Sequence, residues 1–154
     1  MEALQALLER RAFIISIEWD PNDLMKQSVR TALLIAAAML MIFGASGYAL
    51  IVVPDLHGDL AEIGVRPSVL GGTVLHLYFA ASAMFGFALM VSAAAVQAIR
   101  GVMPARIPLA IITVIYTTFG VVAFSRSHNP HHLGPLVMGI LLGAALAIPD
   151  LQDR

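Results

Sequence analysis

The residues best suited to chemistry in this sequence are its five histidines. No cysteine is present, which excludes thiolate ligands, disulfides and iron–sulfur clusters. His76 lies in the apolar stretch Val74-Leu75-His76-Leu77-Tyr78. A neutral imidazole ligates iron, copper or zinc, and an ionisable side chain in such a stretch is costly unless it is paired. It is either a cofactor ligand or a structural hydrogen bond to Ser, Thr or Tyr on a neighbouring helix. A second group comprises His57 and the run His128-Asn129-Pro130-His131-His132. His128, His131 and His132 could bind zinc or copper at a loop-to-helix entrance, with Asp55, Asp59 and Glu62 on the same side. The plainer reading is a solvated cap, and Asp55-Leu56-His57-Gly58-Asp59 reads as a turn.

Tyr116, with Thr113, Thr117 and Thr118, forms a polar stripe that could hydrogen-bond a substrate or simply neighbouring helices. No nucleophile–base pair or carboxylate dyad can be assembled within the apolar segments, so hydrolase chemistry has no support. The centres of those segments hold no Asp, Glu, Lys or Arg, and no inverted repeat is visible, which argues against proton-driven transport.

The elements that must position these side chains are membrane helices. Hydrophobic residues make up 59% of the 154 and charged residues 12%, against about 25% charged in a soluble domain. Four uncharged runs predict spans over residues 31–53, 68–98, 107–125 and 133–149 of one domain. A hydrocarbon core of about 30 Å needs roughly 20 residues of helix, and lipid requires each backbone polar group to be paired within its segment. The fold class expected is all-α: an integral membrane four-helix bundle with an N-terminal interfacial amphipathic helix over residues 1–20. Leu4, Leu7, Leu8, Ile14, Ile15 and Trp19 supply the apolar face of that arm, and Glu2, Glu9, Arg10, Arg11 and Glu18 rule it out as a span. No cleavable signal peptide is evident. Asp20-Pro21-Asn22-Asp23 reads as a helix start.

Arg10, Arg11, Lys26, Arg30, Arg100, Arg106 and Arg154 fall on one side, against Arg66 and Arg126 on the other. This bias places both termini in the cytoplasm, and the expected location is a bacterial inner membrane. Tyr48 and Tyr78 suit an aromatic belt at the outer face. The net charge of −1 gives no reason to expect nucleic acid. Small residues mark close helix approach: Ala36-Ala37-Ala38, Gly44-Ala45-Ser46-Gly47, Ala80-Ala81-Ser82-Ala83, Ser92-Ala93-Ala94-Ala95, and Gly139 with Gly143 in GxxxG spacing. They predict intramolecular packing, with an oligomer interface on the fourth helix as the alternative.

A short chain with four membrane helices and a histidine early in the second resembles the styrene oxide isomerase family. The likeness continues in Phe119-Gly120-Val121-Val122-Ala123-Phe124-Ser125 and Asn129-Pro130, and it covers helices two to four. The resemblance implies haem b with His76 as axial ligand, near a subunit interface of a homotrimer. It also implies Lewis-acid opening of a small hydrophobic epoxide to an aldehyde or ketone. Two departures stand out. Ser82 replaces the family's Asn six residues after the histidine, and Val122 replaces its Tyr before the Phe-Ser pair. Tyr116 lies six residues before that position, about 240° around the helix. Ser82 and Tyr116 remain the candidates for the catalytic polar contacts. Two further expectations compete: a non-enzymatic accessory or scaffold subunit of a larger membrane complex without a cofactor, and an outer-face zinc or copper protein built on His128, His131 and His132.

Overall fold

The computed structural model describes residues 21–149, so the expected interfacial arm over 1–20 lies outside the described residues. The described chain is all-helical. Helix α1 spans Pro21–Gly47 and passes through a π-helical turn, Tyr48–Val52, into α2, Val53–Glu62. Helix α3 spans Pro67–Ile99 and α4 spans Arg106–Ser127. A 3-10 turn, Pro130–His132, leads into α5, Leu133–Ala147. Four stretches are long and apolar enough to cross a membrane: Asn22–Glu62, Pro67–Ile99, Arg106–Ser127 and Pro130–Ala147.

The expected turn at Asp55–Asp59 is instead part of α2. Pro54 explains both the helix and its distortion. A proline has no N–H, and in a regular α-helix its ring meets the carbonyl four residues earlier. The chain relieves this by widening one turn, in which the Val53 N–H reaches back five residues to the Tyr48 carbonyl. Pro54 and Asp55 then suit a first turn. Val53 is fully buried, Leu56 and Leu60 are half-buried, and Asp55, His57, Asp59 and Glu62 are exposed. The apolar positions of α2 lie against α3, which pulls this charged run out of the turn that its composition suggests.

Helix α1 packs on α3 and on α5, and α5 packs on α4. Helices α3 and α4 touch little, so the ring of four has one loose seam. The core is made of Leu34, Ala37, Ala38 and Met41 of α1 with Ala88, Val91 and Ala95 of α3, Ile112 and Tyr116 of α4, and Leu142 of α5. It occupies one end of the bundle. No buried residue of α3 precedes Ala81 and none of α4 follows Gly120. Seven of the core's fifteen buried residues are alanines, which let the backbones approach where lipid supplies no hydrophobic drive.

The closest approach joins α4 and α5. A Cβ on Gly120 would stand 2.6 Å from the Leu136 nitrogen, and one on Gly139 would stand 2.8 Å from the Thr117 nitrogen. The Gly139–Gly143 pair therefore faces α4 within the chain, which is the intramolecular alternative.

The buried end of the bundle is basic. Arg30 is only 9% exposed. Its Nη1 donates to Met103 Sδ (3.2 Å), and its Nη2 donates to the Ile148 carbonyl and to the Pro149 carbonyl (3.3 Å). Arg106 Nη2 donates to the Leu146 carbonyl (2.8 Å). These carbonyls end α5 and have no intrahelical donors, and cations also suit the negative end of a helix dipole. The opposite end carries His57, His128, His131 and His132, and we call it the histidine end.

Candidate functional site

His76 sits on α3 toward the histidine end and is exposed in the single chain. Its Nδ1 lies 2.6 Å from the Gly72 carbonyl, one turn earlier. A carbonyl only accepts, so Nδ1 donates in this contact and Nε2 is the ring nitrogen turned outward. Such a bond to the second ring nitrogen typically orients a metal-ligating histidine. A Cβ added to Gly72 would meet nothing within 4 Å, so the helix surface beside the imidazole is open. The site thus offers one imidazole, oriented through Nδ1, on an uncovered helix face.

Eleven residues further along α3 is Phe87, within about 20° of the same helical face as His76. Phe87 meets Tyr116 of α4 edge to face, with ring centroids 6.3 Å apart and planes at 74°. Tyr116 is 5% exposed. Its hydroxyl is buried with no hydrogen-bond partner among the described residues. Tyr116→Phe keeps the ring contact and removes the orphan group. Stability is expected to stay level or rise by up to about 1 kcal/mol, read as the thermal unfolding midpoint in detergent; a fall of that size would mean that the hydroxyl has a partner.

The candidate residues do not converge within one chain. Tyr116 stands beside Phe87, about 16 Å along α3 from the level of His76. Ser82 is exposed and its Oγ donates to the Tyr78 carbonyl (2.9 Å). It lies about 9 Å along α3 from His76 and about 240° around it. Tyr78 is exposed and Tyr48 is half-buried.

The histidines of the α4–α5 connection build a turn. His128 ends α4 with φ 52°, and its ring tilts against Phe124 with centroids 6.2 Å apart. The His131 backbone N–H donates to Asn129 Oδ1 (3.0 Å). Among the described residues, no three His, Asp or Glu side chains are grouped so as to hold a metal ion. Sequence reasoning missed the Gly72 carbonyl as the partner of His76. The glycine four residues before the histidine was the available signal, because i and i−4 positions share a helix face.

No family model matches the chain, and neither the curated proteins nor the solved structures contain a match.

Proposed function

We propose that the protein is a membrane haem b protein in which His76 is the axial ligand. The observation that carries this reading is the His76 imidazole, with Nδ1 held by Gly72 and Nε2 left for iron. The partly small-residue surface of α3 around it, with half-buried Gly72 and exposed Ala80 and Ala83, suits the approach of a flat macrocycle. His76 would be the residue that holds the iron. Bound there, ferric haem would supply a Lewis acid for opening a small hydrophobic epoxide to an aldehyde or ketone, as the family resemblance implies. This chain's own part is to hold the cofactor in one orientation and to exclude water from it with apolar surface. A second copy of the chain, as in a homotrimer, would cover the exposed face of α3. We further read the basic end as cytoplasmic, because Lys26, Arg30, Arg100 and Arg106 gather there.

The test is an absorption spectrum of detergent-purified protein. Wild type is expected to be coloured and to show a Soret band. His76→Ala is expected to lose that band while keeping its helical circular dichroism. A colourless wild type overturns the haem reading and favours the non-enzymatic accessory subunit, in which His76→Leu is tolerated and a partner co-purifies.

A further inference from the structure

We propose that Arg126 anchors the propionate carboxylates of the haem held by His76, in the uncovered seam between the histidine-end halves of α3 and α4. The inference rests on the haem reading and adds a second, charged point of attachment to it.

The Phe87–Tyr116 contact fixes the relative height of α3 and α4. The two helices are consecutive and antiparallel. His76 lies eleven residues before Phe87, and Arg126 lies ten residues after Tyr116. At 1.5 Å per residue these are about 16 Å and about 15 Å, both toward the histidine end. His76 and Arg126 therefore stand level with each other on the two helices that flank the seam. Arg66, the other arginine at this end, precedes His76 by ten residues and lies about 15 Å beyond it.

The facing directions agree. On α4, Thr117 marks the side turned to α5, because Gly139 packs directly on it. Arg126 is nine residues on, about 900° or half a turn away, so it points away from α5. His76 shares the face of α3 that meets α4 at Phe87. Neither helix has a buried residue of its own at this height.

Arg126 is exposed and, among the described residues, has no hydrogen-bond or ion-pair partner. A guanidinium pairs carboxylates in a planar, bidentate manner, which an apolar surface alone cannot supply. The chemistry of the seam is thus apolar and aromatic below, an imidazole to one side and a lone cation opposite. That pattern fits a flat hydrophobic ligand carrying carboxylates at one edge. An isolated role for Arg126 as a favourable charge in the last turn of α4 would need no such ligand.

The experiment compares haem with its dimethyl ester, in which both carboxylates are masked. Full-length protein expressed without a haem supply is titrated with each in detergent, followed at the Soret band. Wild type is expected to bind haem at least about tenfold more tightly than the ester, a difference of about 1.4 kcal/mol. Arg126→Gln is expected to bind both equally with an unshifted Soret band, and Arg126→Lys to restore part of the preference. Equal binding of both ligands by wild type, or a preference retained in Arg126→Gln, overturns the anchor and leaves the His76 reading standing. If wild type binds neither ligand, both fall. A Soret band that follows Arg126→Gln into loss overturns the separation of roles between Arg126 and His76.

Discussion

Gly139→Val is expected to force α4 and α5 apart and to lower unfolding stability by about 3 kcal/mol. The reason is local. A Cβ at this position would collide with Thr117 Oγ1 and would also sit 2.8 Å from the Thr117 nitrogen and 3.1 Å from its Cα, so the obstacle includes backbone that a rotamer change cannot clear. Gly120→Val meets the same problem against the Leu136 nitrogen and Cα, at 2.6 and 2.8 Å. Gly143→Ala is the control. Its new methyl would meet Thr113 Cγ2 at 3.5 Å, an ordinary contact, and the exchange also improves helix propensity. Stability measured by thermal unfolding in detergent should therefore fall for Gly139→Val and Gly120→Val and hold or rise for Gly143→Ala. Equal tolerance of all three would show that α4 and α5 are further apart than the structure places them.

Arg30→Met is the second large effect expected, at about 2–3 kcal/mol. Methionine keeps an apolar stem but leaves the carbonyls of Ile148 and Pro149 without this donor. Hydrogen bonds to a charged group are worth about 1.5–3 kcal/mol, and two such bonds are lost together. Arg30→Lys should recover only part of the loss, because one ammonium cannot span two backbone carbonyls and the Met103 sulfur as a planar fork does. Hydrogen exchange should locate the damage in the last turn of α5 and spare the middle of α3. Exchange rising uniformly through the bundle would instead mean that Arg30 supports the whole fold.

Much of the architecture is legible from charge spacing. The runs bounded by Arg30 and Asp55, Arg66 and Arg100, and Arg106 and Arg126 give the first three apolar helices directly, because a charge costs too much in hydrocarbon to lie mid-span. The small residues also forecast where backbones touch, and Gly139 lies where that reasoning puts it. Less was legible in α2. Asp55, His57, Gly58 and Asp59 have the composition of a turn, and the Pro54 helix start together with the packing of the apolar positions of α2 makes them helical. The candidate site was half legible. His76 stands out as a lone imidazole among apolar residues. Whether it faces inward or outward depends on which side of α3 meets α1, and that is a tertiary fact. The same is true of Ser82 and Tyr116. Their residue types invite a shared site, yet helix rotation and the position of the Phe87 contact keep them away from His76.

The four apolar stretches are unequal, and this has a consequence for the surroundings of the protein. Asn22–Glu62 has 41 residues and Pro67–Ile99 has 33, about 60 and 50 Å of helix, whereas Pro130–Ala147 has 18, about 27 Å. A bilayer core of about 30 Å fits the short side and falls well short of the long one. Seen from the lipid, the molecule is a wedge. Acyl chains beside α5 meet a wall of their own height, while those beside α1–α2 and α3 must stretch, or the helices must lean, at a cost for each ångström of mismatch. Protein against these long helices would remove that cost. The long flank is therefore the side on which a neighbouring chain relieves the membrane most, and the short flank is the side that ordinary lipid already suits.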